Sequence, residues 1–276
     1  MLREIVSRLQ AASESPGLDA QVLLAHVLGK SRPWVLAHPE VQLDAPQAST
    51  LAVALERLER GEPLPYVLGR WEFYGLELQV SPAVLIPRPE TECLVEQALA
   101  WLRAHPGRRR VLDVCTGSGC IAVALAVNLP GLQLLASDIS FAALQVAGAN
   151  ARQHGVSPRW LCVQADLLPP SAAPWDLICA NPPYVPHEAL PELRVAAWEP
   201  RLALDGGPDG LVFIRRLLSL APQALSPKGL FLMEIEASQG AAVLALARAA
   251  FPGADVQVLP DLAGRQRLLR VERSGG

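Results

Sequence analysis

From Arg110 onward, apolar runs of strand length alternate with helical patterns, and this alternation restricts the chain more than any other feature. Candidate strands are Val111 to Cys115, Gln133 to Ser137, Trp160 to Gln164, Trp175 to Ala180 and Leu230 to Ile235, with helices such as Cys120 to Leu129 and Phe141 to Gln153 between them. Such alternation predicts a doubly wound α/β sheet. Two more strands, Ala254 to Leu259 and Gln266 to Val271, are joined by little more than Asp261-Leu262-Ala263-Gly264-Arg265. A parallel pair needs a crossover of about a dozen residues or more, so these two must run antiparallel.

Ahead of the sheet the pattern is different. Residues 1–62 read as a small helical domain: Asp19 is placed to cap a helix from Ala20 to Leu28 that ends at Gly29. Pro46 opens another, with Leu51, Leu55 and Leu58 at helical spacing and Gly61 as its stop. Such a domain either packs or docks a macromolecular partner. Residues 63–84 form a hinge, Gly61-Glu62-Pro63-Leu64-Pro65, followed by a hairpin in which Leu76, Leu78 and Val80 alternate with polar residues behind Tyr74-Gly75. Residues 85–276 carry the sheet. They open on the proline-stiffened stretch Leu85 to Glu92, which reads as a stiff linker or a pocket wall, with Glu90 or Thr91 as the cap of a helix from Cys93 to Ala104.

Composition narrows the function classes. With 51% hydrophobic residues in 276 the chain can bury a full core. The net charge of -3 argues against a broad nucleic-acid-binding face, and Arg108-Arg109-Arg110 and Arg215-Arg216 read as solvated surface. No apolar run approaches the roughly 18 residues that span a membrane, and Met1 to Val6 lacks the layout of a signal peptide. The expected location is the cytoplasm. Cys93, Cys115, Cys120, Cys162 and Cys179 form no Cys-x-x-Cys pair and read as buried free thiols. The five histidines lack metal-ligand spacing, so no metal site is expected; His187, near Tyr184, reads as a solvated loop residue.

Two stretches carry chemistry. The first, Val111 to Gly119, runs a strand into a glycine-rich turn that opens a helix, and Gly117, Gly119 and Ala122 satisfy the loose dinucleotide fingerprint. Glycines allow a tight turn and close approach of a ligand, and a helix N-terminus favours a negative group. A nicotinamide cofactor and S-adenosylmethionine fit equally well. Asp138 ends the next strand about 20 residues on, where a carboxylate accepts ribose hydroxyls or, alternatively, caps the following helix. Asp166 follows the third strand as an acceptor for an adenine amino group, with Leu167 covering the base, or as a solvated loop aspartate.

The second stretch is Asn181-Pro182-Pro183-Tyr184, at the end of the fourth strand. Two prolines remove two N–H donors and leave mostly acceptors, which suits a planar nitrogen that carries hydrogens and becomes more positive. A strand-ending turn explains the tetrapeptide as well. In open α/β sheets the carboxyl ends of the strands face one crevice, which brings this segment to the cofactor. A dehydrogenase needs a proton donor or acceptor beside the substrate carbon. This segment has no group that titrates near neutrality, whereas methyl transfer needs only alignment and charge stabilisation.

Glycine loop, acidic ribose ligand and Asn-Pro-Pro-Tyr together resemble the S-adenosylmethionine-dependent amino-group methyltransferases. Further blocks resemble in particular the HemK (PrmC) protein-glutamine methyltransferases of peptide chain release factors. These are Pro65 to Gly69, Glu72 to Leu76, Ile86 to Glu92, Glu199 to Leu204 with Gly207, Asp209 and Gly210, and Asp261 to Arg265. The resemblance implies a Rossmann-like seven-stranded SAM-dependent methyltransferase domain with an antiparallel last strand, preceded by a helical domain and a β-hairpin. It implies methylation of the side-chain amide of the glutamine in a Gly-Gly-Gln loop, with no membrane or direct nucleic-acid partner. It places Cys115, Thr116, Gly117, Ser118, Gly119, Asp138, Asp166, Leu167 and Asn181 around the cofactor, with Leu85 packing beside it. Asn181, Pro182, Pro183 and Tyr184 fall around the substrate. In that reading the Asn181 oxygen and the Pro182 carbonyl accept the two amide hydrogens, and the Tyr184 ring packs over the amide plane.

Two positions depart from the family. Many members have glycine where this chain has Cys115, which predicts an ordinary backbone conformation there, and some carry an aromatic at Leu167. A ribosomal-protein glutamine methyltransferase is the nearest alternative, and its members usually depart from the Pro89-Glu90-Thr91-Glu92 kept here. A DNA adenine methyltransferase, a nicotinamide oxidoreductase and a non-catalytic binder of translation factors are further ones.

Overall fold

Pro16, placed at the first position of a helix where no N–H is needed, starts the second helix of the chain four residues earlier than Ala20. The computed structural model describes residues 1–275 and divides into two compact units, Met1–Arg70 and Trp71–Gly276.

The first unit is helical: α1 (Leu2–Leu9), α2 (Pro16–Leu28), α3 (Arg32–Ala37), α4 (Ala45–Glu59) and α5 (Leu64–Leu68). Asp19 does not cap α2. It lies in its first turn and accepts the Ser13 hydroxyl at 2.6 Å, because Ser15 already occupies the cap position. Gly29 ends α2 in the left-handed region at φ 62. α4 opens on a capping box, Asp44 with Gln47, and buries Leu51, Leu55 and Leu58 on one face. Arg57 donates to Glu62 and to the carbonyls of Tyr66 and Val67, so the unit continues past the end of α4 as far as Arg70.

A hairpin follows, β1 (Arg70–Phe73) and β2 (Leu76–Gln79). Tyr74 and Gly75 turn it at φ 53 and 71. Phe73 and Leu78 are fully buried, as period-two alternation requires.

Among the described residues the second unit is built on a seven-stranded sheet. Its strands are β3 (Arg110–Val114), β4 (Gln133–Asp138), β5 (Trp160–Gln164), β6 (Trp175–Ala180), β7 (Leu225–Glu234), β8 (Asp255–Pro260) and β9 (Gln266–Glu272). Their order is β5-β4-β3-β6-β7-β9-β8. β3 to β7 are parallel, and β9 inserts antiparallel between β7 and β8. The expected strands are all present. β7 begins at Leu225, earlier than expected, and Lys228 takes φ 57 within it.

Helices α6 (Glu92–Ala104), α7 (Cys120–Asn128), α8 (Phe141–Gln153), α9 (Val212–Ala224) and α10 (Gly240–Ala250) cover the sheet. Two buried clusters form the core: one joins Leu99, Leu125 and Leu134, the other Ile214, Phe231 and Val243. At α6 neither Glu90 nor Thr91 supplies a side-chain cap. Thr91 is turned inward and buried. The arginines before β3 are not merely solvated: Arg108 donates to Asp176 at 2.8 Å and Arg110 stacks on Trp175 at 4.9 Å. Asp176 also accepts the N–H groups of Arg109 and Arg110, which ties the starts of β3 and β6 together. Of the cysteines, Cys179 is buried and Cys162, on the edge strand β5, is exposed.

Candidate active site

The chain runs from β3 outward through β4 to β5 and returns on the other side of β3 as β6. The switch point between β3 and β6 is where an open α/β sheet makes a crevice at its carboxyl edge. A cleft of about 1050 Å³, counting its open mouth, lies there.

Its floor is the loop between β3 and α7, with Cys115, Thr116, Gly117 and Ser118 lining the cleft. Cys115 is not in an ordinary conformation. It takes φ 57, because the chain must turn sharply out of β3 while the Thr116 N–H reaches the Ser137 carbonyl at 3.0 Å. A β-carbon there costs on the order of 1–2 kcal/mol. Gly119 does not line the cleft. It precedes α7 at φ 79, and an added Cβ would meet Ala147 Cβ at 3.1 Å and Trp160 at 3.2 Å. Its glycine serves the close packing of α7 and α8.

Beneath the loop Asp113 is completely buried. Its Oδ2 accepts the Thr116 hydroxyl at 2.6 Å, while Oδ1 has no partner among the described residues. Burial raises its pKa to about 7, against the opposing effect of the Thr116 hydroxyl.

The next strand ends supply carboxylates. Asp138, on β4, accepts the Gly117 N–H and the Ser140 N–H, each at 2.9 Å. Ser140 caps α8, so Asp138 is left facing the cleft. Burial raises its pKa, and three backbone N–H groups oppose the rise. Asp166 lines the cleft beyond β5 and pairs with Arg216 at 2.8 Å, both side chains about half exposed. Leu167 follows at φ 67, buried, with its carbonyl accepting the Ser137 hydroxyl. Leu85, Pro87, Arg88 and Thr91 from the proline-stiffened segment form the facing wall.

β6 delivers Asn181 and Pro183 to the cleft, whereas Pro182, buried like Pro183, does not line it, and Tyr184 packs on the core cluster behind it. The Tyr184 hydroxyl donates to Glu234 Oε1 at 3.0 Å rather than facing the cleft. Its backbone is held by the glycine-rich segment after Asp205: Gly206 N donates to the Val185 carbonyl, and a Cβ at Gly210 would meet the Tyr184 carbonyl at 2.3 Å. His187 is exposed beside Asp205 and Arg201.

Two carboxylates escaped the sequence reading as functional groups. Glu234 ends β7, 2% exposed, and Glu199 is 3% exposed. Glu199 accepts the Ile86 N–H at 3.0 Å and the Arg88 guanidinium at 2.5 Å, fixing the wall segment. Glu199 stood within a recognised block, and Glu234 ends an apolar strand where a buried acid is unexpected. Those positions were the available signals.

Comparison with known proteins bears on the fold and the family. A family model described as PrmC N-terminal domain matches residues 1–69, and one described as Methyltransferase small domain matches residues 91–197. A protein of Moorella thermoacetica named release factor glutamine methyltransferase is 46% identical over 96% of this chain and 95% of its own. A Bordetella pertussis protein of the same name is 44% identical over 92% and 93%. Among solved structures, a methyltransferase from Pyrococcus furiosus has a TM-score of 0.54 at 17% identity, over 74% of this chain and 91% of its own, and shows the shared fold. At these identities to the two curated proteins, over nearly the full length of both partners, the chain belongs to the family of release factor glutamine methyltransferases.

Proposed function

We propose that the chain transfers a methyl group from S-adenosylmethionine to the side-chain amide nitrogen of the glutamine in the Gly-Gly-Gln loop of peptide chain release factors. The observation that carries this is the meeting, in one cleft, of the glycine loop and the Asp138 and Asp166 carboxylates with Asn181.

The cleft suits S-adenosylmethionine by its chemistry. Asp138 and Asp166 offer acceptors to ribose hydroxyls and an adenine amino group, while Leu85, Ile139, Leu167 and Phe213 give apolar surface for the base. Cys115 to Ser118 line the turn that receives the amino-acid end. When bound, this cofactor supplies a methyl group already activated by its sulfonium charge.

The chain's own task is to orient the acceptor. An amide nitrogen is a poor nucleophile because its lone pair is shared with the carbonyl. The Asn181 oxygen and the Pro182 carbonyl accept its two hydrogens, raise its electron density and stabilise the positive charge it gains. Pro183 forms the adjoining wall, and Tyr184 anchors the segment from the core side. The first unit, with residues 1–62 at its heart, docks the release factor. The setting is the cytoplasm, with no membrane and no direct nucleic-acid partner required. No helix among the described residues is long and apolar enough to cross a membrane.

Asn181→Ala tests the reading: cofactor binding should persist, and methyl transfer should fall on the order of a hundredfold. Near-normal transfer by that variant would remove Asn181 from the mechanism.

A further inference from the structure

Glu234 is a buried carboxylate with no ion-pair partner among the described residues. Such a group costs stability unless something requires it. What it does make is two hydrogen bonds from hydroxyls. Thr91 Oγ1 donates to Oε2 at 2.6 Å, and Tyr184 Oη donates to Oε1 at 3.0 Å. β6 and β7 pair with Ala180 opposite Met233, so Asn181 and Glu234 are the next residues along the same two strands. Thr91 stands between them, and Asn181 Nδ2 donates to its Oγ1 at 3.4 Å.

A hydroxyl has one proton. With that proton committed to Glu234, Thr91 Oγ1 can only accept. A reversed Asn181 amide would set its oxygen against the hydroxyl oxygen with no hydrogen between them. The unreversed amide keeps Nδ2 on Thr91, and Oδ1 has no protein partner among the described residues. We infer that Glu234 and Thr91 are positioning residues for methyl transfer: through the single proton of the Thr91 hydroxyl they select the Asn181 amide orientation that presents its oxygen to the substrate amide.

This rests on the proposed role of Asn181 and adds the device that orients it. It also sets a pH dependence. A protonated Glu234 can donate to Thr91, whose own proton then turns toward Asn181 and removes the selection. Burial raises the Glu234 pKa; Arg267 on the neighbouring strand lowers it and Glu90 raises it, and Arg88 faces Tyr184. Ionised Glu234 is the working form, so turnover falls as the pH drops through its titration.

The test is steady-state methyl transfer to a purified release factor, with cofactor affinity by calorimetry and a melting temperature for every variant. Glu234→Leu and Thr91→Ala should each lower kcat roughly tenfold or more, with KM for the release factor and the cofactor affinity changed by less than about threefold; Glu234→Gln, whose carbonyl can still accept from Thr91, should keep most of the rate. Thr91→Ser should recover most of the rate. The acid-side fall of kcat should be present in the unsubstituted protein and absent from Glu234→Gln. If Asn181→Ala is inactive while Glu234→Leu and Thr91→Ala turn over normally, the positioning role is wrong and the role of Asn181 stands. If Asn181→Ala is itself normal, both fall. Should Glu234→Leu fail to fold, the threonine pair decides: equal kcat for Thr91→Ala and Thr91→Ser overturns the inference.

Discussion

Asp138 is held by backbone N–H groups of its own loop and the adjacent one, and Asp166 by an exposed arginine. Asn181, across the same cleft, is backed by Thr91, 90 residues away in sequence, and through it by Glu234, a further link spanning 143 residues. The first half is the more open, its Asp166–Arg216 pair about half exposed; the second is drier, with Thr91 and Glu234 each 2% exposed and drawn from segments far apart in sequence. A half that admits and releases a diffusible ligand works with solvated acceptors. A half that must point one amide oxygen needs partners whose proton positions are fixed, which burial and a closed hydrogen-bond chain supply.

The largest expected effect lies beneath both halves, at Asp113. Its folded pKa of about 7 stands above the roughly 4 of an unfolded aspartate. The folded state therefore holds a proton between about pH 4 and 7 that the unfolded state has lost, and stability falls as the pH rises through that window. The full swing is about 4 kcal/mol by linkage. Melting temperatures of the parent and Asp113→Asn should lie closest at about pH 4 and separate toward about pH 7, as the parent loses stability and the non-titrating variant does not; parallel curves would mean that folding does not change the protonation of Asp113.

The contrast between the halves is broken or sharpened by two substitutions measured together. Asn181→Ala should leave cofactor affinity intact and abolish most turnover. Asp138→Ala should weaken cofactor binding roughly ten- to a hundredfold while sparing turnover at saturation. Calorimetry and saturation kinetics on both proteins decide it, and identical profiles would erase the distinction.

Gly119→Ala probes the floor by packing rather than chemistry. The left-handed backbone and the 3.1 Å approach to Ala147 should cost about 1–3 kcal/mol in urea unfolding. A neutral result would mean that α7 and α8 can part without penalty. The smallest effect is expected for Arg216→Ala, since the Asp166 pair is about half exposed: stability should change by less than about 1 kcal/mol.

The parallel sheet, its antiparallel end and the glycine turn were legible because each is written in short contiguous stretches. Helix α8 was read to its observed ends, Phe141 and Gln153. Cys115 misled, since a cysteine normally avoids positive φ and only the sharp exit from β3 demands it. Thr91 looked like a helix cap because capping is a local property, whereas its actual partner comes from β7. Glu234 gave no motif at all. A single acid at the end of an apolar strand acquires meaning only when the sheet register sets it beside Asn181. Arg108 likewise looked like surface until Asp176 was brought to it from β6.

The most direct test of the whole account follows labelled methyl from S-adenosylmethionine into a purified release factor and into its counterpart with the Gly-Gly-Gln glutamine changed to alanine. Label should enter the first, reside on that glutamine and be absent from the second. Equal labelling of both would contradict the assignment of the substrate.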